Sequence, residues 1–112
     1  MAATEQFHLA LTTAGSDEQA ETLARALVER NLAACVNIIH GVCSVYRWKG
    51  DVTREEEHVL LIKTAERLLP EVRRTIRELH TYEVPEFISL AIQDGDPDYL
   101  SWLAGELKGD PA

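Results

Sequence analysis

The side chains of this chain that could do chemistry are its two cysteines, its four histidines and a surplus of carboxylates. Cys35, His40, Cys43, His58 and His80 are of the types that ligate transition metals, through thiolate sulfur or imidazole nitrogen. None of them forms a local chelate, because the sequence has no C-x-x-C and no H-x-x-x-H pair. Cys35 and Cys43 stand eight residues apart in one extended run, a separation of roughly 26 Å if the run is straight. Metal–sulfur bonds of about 2.3 Å, and disulfide Cα separations under about 7 Å, put a shared ion and an internal bridge out of reach unless the run folds back. A metal site would gather its ligands from neighbouring subunits or use surface carboxylates. The plainer reading of Cys35 is a small buried core residue.

Lys63, His80, Tyr82, Glu86, Tyr99 and Trp102 form a second set. They are polar or amphipathic and lie near strand and helix ends, where open α/β sandwiches place clefts. A Lys63–Glu86 pair could bind a small anionic ligand or be a satisfied ion pair. Tyr99 and Trp102 are of types more often found packing a helix than serving as ligand platforms. No Ser/His/Asp or Cys/His arrangement can be assembled without arbitrary choices among scattered residues, so no catalytic residue is assigned and no enzyme is expected. A glycine-rich phosphate loop is also missing from the sequence.

Charge narrows the partners. Eleven Lys and Arg against 19 Asp and Glu give a net charge of −8 over 112 residues. That surface repels nucleic acid, and the aromatic strand motifs of RNA-binding modules are missing as well. It suits cations, although acidity also simply keeps a protein soluble. The apolar fraction of 46% is that of a globular chain. Apolar runs such as Val59–Ile62 fall far short of the ~20 residues a bilayer span needs, so no membrane partner is expected. Residues 1–15 lack a basic segment and a continuous apolar core, which points to no signal peptide, a cytoplasmic location and reduced thiols.

The elements that must position these residues follow from periodicity. Phe7–Thr13 alternates as a strand. Ser16 and Gln19 have the spacing of a capping box, and Ala20, Leu23, Ala24, Leu27 and Val28 lie on one face of the helix it opens, with Asn31 as its left-handed stop. A long extended run from Ala33 to Trp48 follows, with a bulge or bend expected at His40-Gly41. Lys49-Gly50-Asp51 turns it back into a second run, Val52–Thr64. Leu69, Val72, Ile76 and Leu79 make a second one-faced helix with Pro70 in its first turn. Glu86–Gln93 is a last strand, and Asp96-Pro97 opens a short helix carrying Leu100, Leu103 and Leu107. The order predicts one α+β domain over residues 1–112. Its fold is a ferredoxin-like βαββαβ sandwich with an extra C-terminal helix and a long hairpin between the second and third strands.

Both helices then cover one face of the sheet. The sixteen residues of Ala33–Trp48 would span about 50 Å, against a radius of gyration near about 13 Å for a domain this size. Strict alternation puts Val36, Ile38, Val42 and Tyr46 on one face of that run and Cys35, Ile39, Cys43 and Val45 on the other. Two apolar faces need two covers, and another copy of the chain is the expected second one. Burying even ~1,000 Å² would contribute on the order of 25 kcal/mol before association costs. A closed homo-oligomer is expected.

Five segments together carry a resemblance. They are the stretch Leu27–Ile39 containing Ala33-Ala34-Cys35, then Val45-Tyr46-Arg47-Trp48-Lys49-Gly50, Leu61-Ile62-Lys63-Thr64, His80-Thr81-Tyr82-Glu83-Val84-Pro85-Glu86, and Asp98-Tyr99-Leu100-Ser101-Trp102-Leu103. In order and across nearly the whole chain they resemble the CutA family of divalent-cation tolerance proteins. The resemblance implies a ferredoxin-like homotrimer, similar in subunit architecture to the PII signal-transduction proteins, with a role in tolerance to copper and other divalent cations. It favours Cys35 as the thiol tied to copper. Cys35, His80 and Glu86 are the metal ligands expected, thiolate suiting Cu(I) and imidazole or carboxylate suiting Cu(II). It also implies a pocket between subunits, with Lys63, Tyr82, Tyr99 and Trp102 as the ligand-binding residues expected here. The chain departs from the family pattern at His40, where proline is usual, at Thr81, also usually proline, and at Cys43, where threonine or serine is common.

Overall fold

The computed structural model of this chain describes residues 5–109. Its order is β1 (Phe7–Ala14), α1 (Asp17–Glu29), β2 (Cys35–Trp48), β3 (Asp51–Ala65), a 3₁₀ turn (Glu66–Leu68), α2 (Leu69–Leu79), β4 (Ile88–Ala91) and α3 (Pro97–Gly105). The sheet runs β2-β3-β1-β4, with every neighbouring pair antiparallel. Each of β1–α1–β2 and β3–α2–β4 therefore straddles a strand from the other unit, the split βαβ arrangement expected from the element order.

Local signals act where the sequence puts them. Ser16 Oγ accepts the Gln19 N–H, but the Gln19 side chain donates to the Leu79 carbonyl instead of completing a capping box. Asn31 takes the left-handed conformation just past α1, at φ 56. The β2–β3 turn uses left-handed Lys49 and Gly50, as a two-residue hairpin of this twist requires. Asp96 Oδ2 accepts from the Asp98 and Tyr99 N–H groups and caps α3. The last strand is shorter than its apolar pattern. The Glu86 carbonyl is taken by the Thr12 hydroxyl at 2.7 Å, and β1 pairs only with Ile88–Ala91. The second strand starts at Cys35, because the Leu32 and Ala33 N–H groups still bond to the Leu27 carbonyl at the end of α1.

The core lies between the sheet and the helices. Ala10 and Ala14 of β1, Leu60 and Ile62 of β3, Leu23 and Leu27 of α1, and Val72 and Ile76 of α2 are buried there, with Leu103 of α3. Buried Thr64 satisfies its hydroxyl on the Leu32 carbonyl at 2.6 Å, tying the α1–β2 loop to β3. The opposite face of the sheet has no cover among the described residues. Ile39, Ile88 and Leu90 on that face are 46%, 52% and 56% exposed.

The bulge corrects the expected division of β2 into faces. Pairing steps from Ile39↔Val59 to Val42↔Glu57, so β2 spends one residue more than β3, and Gly41 accommodates it at φ 69. Val36 and Ile38 pack against the core, but beyond the bulge the parity reverses. Val42, Ser44 and Tyr46 join Cys35 and Ile39 on the uncovered face, and Cys43 and Val45 pass to the other side. The hairpin runs on past the helices. The molecule measures 53 × 25 × 22 Å with a radius of gyration of 15.0 Å, larger than the roughly 13 Å of a compact domain of this length.

Candidate functional site

A recess of about 640 Å³ lies on the uncovered face, between the base of the hairpin and the loop joining α2 to β4. The parity switch supplies one wall, bringing Ser44 and Tyr46 of β2 beside Glu55 and Glu57 of β3. The 80–87 loop supplies the other through Tyr82, Glu83 and Glu86. His80 fixes that loop. Its Nδ1 accepts the Tyr82 N–H at 3.0 Å and its Nε2 lies 2.6 Å from the Thr13 carbonyl, so Nε2 carries the proton and donates to that oxygen. Tyr82 donates its hydroxyl to Glu57 Oε2 at 2.8 Å, and Glu57 is only 7% exposed.

The electrostatics of this recess are those of clustered carboxylates. Burial, followed by the hydrogen bond to Glu57 and the negative charges of Glu57 and Glu55, raises the Tyr82 phenol well above its ordinary value. Tyr46 is raised too, chiefly by its hydrogen bond to Glu55 and then by desolvation and the Glu55 and Glu57 charges. Both phenols stay protonated donors. With Glu55, Glu57, Glu83 and Glu86 in its lining, the recess favours cations or hydrogen-bond donors over anions.

The expected site residues fall in three places. Glu86 and Tyr82 line the recess, with His80 behind them holding the loop. Cys35 and Lys63 sit opposite each other on β2 and β3, Lys63 Nζ 3.9 Å from Cys35 Sγ. That pair is across from Leu9 on β1, whereas His80 bonds at Thr13. Four residues along a strand, about 13 Å, and two strand spacings of about 4.8 Å separate them within one chain. Among the described residues Lys63 makes no ion pair with Glu86. Tyr99 and Trp102 lie on α3, 43% and 46% exposed, with ring centroids 5.6 Å apart. The C-terminal end of α3 is tied to Asn31 through the Glu106 carbonyl, so these aromatics belong with the Leu32–Lys63 end of the sheet rather than with Tyr82. Cys43 is exposed on the hairpin opposite Glu56.

One further cluster lies on the helix side of the sheet, where Asp17, His40 and His58 converge with ligand atoms within 4.8 Å of one another.

A family model described as CutA1 divalent ion tolerance protein matches residues 8–106. The chain belongs to the CutA1 family. The divalent-cation tolerance protein CutA of Thermus thermophilus is 47% identical over 93 residues, which cover 83% of this chain and 90% of that protein. Mouse CutA is 42% identical over 94 residues, 84% of this chain. The chain spans only 53% of that mouse relative. The crystal structure of CutA1 from Oryza sativa matches with a TM-score of 0.91 at 38% identity, covering 94% of this chain and 96% of that one.

Within this CutA1 chain the imidazole cluster escaped the search by local spacing, because its members come from three elements. The signal that finds it is hairpin symmetry about Gly50. Trp48 pairs with Asp51 and Ile39 with Val59, so His40 and His58 fall at the same height of the hairpin once the extra residue of the bulge is counted. Among the described residues of this CutA1 chain, no helix is long and apolar enough to cross a membrane.

Proposed function

We propose that this chain is a non-enzymatic divalent-cation tolerance protein that assembles as a homotrimer and binds copper in response to metal ions. Cys35 is the thiol of that site, with His80 and Glu86 as further ligands contributed across subunit boundaries. The observation that carries this reading is the position of Cys35. It lies on the sheet face that has no cover among the described residues, beside the exposed apolar side chains of Ile39, Ile88 and Leu90, so assembly on that face brings other chains to the thiol. Family membership supports the tolerance role. His80 is the ligand that asks most of the site, since both its ring nitrogens already hold the 80–87 loop. The cytoplasm remains the compartment proposed from sequence alone; a rice relative is named chloroplastic and an archaeal one periplasmic.

A second reading is a PII-like module with a small-molecule pocket between subunits, formed by Lys63, Tyr82, Tyr99 and Trp102. The exposed, stacked Tyr99–Trp102 pair favours it. The carboxylates around Tyr82 direct that half of the pocket towards a cationic rather than an anionic group.

Native mass spectrometry of metal-free protein with stepwise Cu(II) tests the first reading. A mass of 3 × 12.5 = 37.5 kDa with a copper plateau that disappears in Cys35→Ser is expected. Unchanged copper uptake in Cys35→Ser removes that thiol from the site, and uptake without a plateau moves the pocket reading forward.

A further inference from the structure

Asp17, His40 and His58 are brought together by three independent devices. Asp17 is the first residue of α1, placed by the Ser16 cap. His40 sits at the bulge of β2, just before left-handed Gly41, on the same parity as Val36 and Ile38 and so on the helix side of the sheet. His58 lies on β3 opposite Ala14, with its side chain only 17% exposed. His40 Nδ1 is 2.9 Å from Asp17 Oδ1 and 3.2 Å from His58 Nδ1, and His58 Nε2 is 3.3 Å from the same Asp17 oxygen. The two rings meet edge to face with centroids 5.0 Å apart.

Hydrogen bonding can satisfy this cluster if Asp17 Oδ1 accepts from both His40 Nδ1 and His58 Nε2, which leaves the two Nδ1 atoms 3.2 Å apart sharing a single proton. His40 Nδ1 has at most one proton, yet it faces both a carboxylate oxygen and a second imidazole nitrogen. Two Nδ1 atoms at this distance are bonded only when one is protonated and the other is not. A cation would instead accept lone pairs from both rings and from the carboxylate together.

We propose that Asp17, His40 and His58 form a binding site for a divalent transition cation of the Zn²⁺ class. Two imidazoles and one carboxylate are donors that Zn²⁺ takes at about 2.0–2.2 Å. Tetrahedral coordination at such lengths sets ligand atoms roughly 3.4 Å apart, close to the 2.9 and 3.2 Å found between His40 and its two neighbours. The half-buried His58 gives the site a fixed side, while Asp17 and His40, with side chains 78% and 62% exposed, are free to close on the ion and leave it an open approach. Three protein ligands leave the fourth position to solvent. Nitrogen donors select against Mg²⁺ and Ca²⁺, which require oxygen. All three ligands come from one chain and from the sheet side opposite Cys35, so the site depends neither on assembly nor on the copper reading above.

The test is titration of the full chain carrying Cys35→Ser and Cys43→Ser, so that no thiol contributes, with Zn²⁺ followed by calorimetry and Co²⁺ by its visible absorption. One Zn²⁺ per chain, an intense tetrahedral Co²⁺ band and resistance to excess Mg²⁺ are expected. Loss of an outer-shell partner alone costs 10–100-fold, so His40→Ala should weaken Zn²⁺ by at least about 100-fold. His40 is exposed, so that variant keeps the fold, as circular dichroism can verify; Asp17→Asn serves as a second exposed variant. Thiol-free protein with no stoichiometric Zn²⁺, or His40→Ala and Asp17→Asn binding as tightly as their parent, overturns the proposal. Failure of Cys35→Ser to affect copper leaves it standing.

Discussion

Gly15 and Tyr82 should be energetically coupled although neither is a neighbour of the other in sequence. A Cβ added at Gly15 would lie 2.9 Å from the Tyr82 hydroxyl oxygen and 3.4 and 3.5 Å from ring atoms Cε1 and Cζ. Only the hydroxyl is too close, so Gly15→Ala displaces the group that donates to Glu57 at 2.8 Å. A hydrogen bond to a charged partner contributes about 1.5–3 kcal/mol, and Glu57 is buried enough to feel its loss. Tyr82→Phe should therefore cost about 1.5–3 kcal/mol. Gly15→Ala should lose most of the same bond, less about 0.4–1 kcal/mol regained by restricting the unfolded chain. In the Tyr82→Phe background the clashing atom is gone and the remaining contacts are ordinary, so Gly15→Ala becomes neutral or mildly stabilising. The coupling energy should equal the hydrogen bond, about 1.5–3 kcal/mol. Urea unfolding of the four proteins at one fixed chain concentration measures it, since the proposed assembly would make apparent stability concentration-dependent. At a slope of about 1–3 kcal/mol per molar urea, the single variants should unfold earlier by the order of 1 M. Losses that add within about 0.5 kcal/mol would refute the steric route from Gly15 to Glu57.

Two further outcomes follow from the same face of the sheet. Leu90→Asp places a charge on the uncovered face opposite Leu9, where assembly would bury it unpaired; native mass spectrometry should show a folded 12.5 kDa monomer, and an intact trimer would mean that this face is not the interface. The folded-state value of Tyr82 lies above the ordinary tyrosine value of about 10, so the folded chain holds this proton more tightly than the unfolded one. Its contribution is complete below about pH 10 and is lost as pH rises beyond it. Tyr82→Phe should flatten that alkaline loss, and identical slopes for the two proteins would contradict the burial and carboxylate contacts assigned to the phenol.

Most of the fold was legible because its signals are local. Caps, one-faced helices and the Lys49-Gly50 turn each act within a few residues, and the element order then leaves few topologies open. The ends of β2 and β4 were not legible, since hydrogen bonds outside their own patterns decide them: the Leu27 carbonyl holds the Leu32 and Ala33 N–H groups, and the Thr12 hydroxyl takes the Glu86 carbonyl. The candidate sites were legible as residue types but not as neighbourhoods. Lys63 was paired with Glu86 by charge, yet the ladder sets it against Cys35 instead. Tyr82 was recognised but its partner Glu57 was not, because a run of glutamates such as Glu55–Glu57 looks exposed until one knows which parity the loop covers.

The bulge at His40-Gly41 links these failures. Without the extra residue, alternation would keep Tyr46 on the face of Val36 and Ile38, and the recess would lose the wall that Ser44 and Tyr46 give it. His40, just before the parity change, keeps the side of Val36 and Ile38 and stays within reach of Asp17 and His58. One inserted position thus lets a single strand serve two polar sites on opposite faces, His40 before it in the imidazole cluster and Ser44 and Tyr46 beyond it in the acidic recess. Bulges are enriched where a sheet must re-aim a side chain. Here the re-aiming is achieved by parity, which explains why a bulge recognised from its glycine still left the recess unassigned: finding the position of an extra residue does not reveal its effect until every side chain beyond it has been moved to the other face.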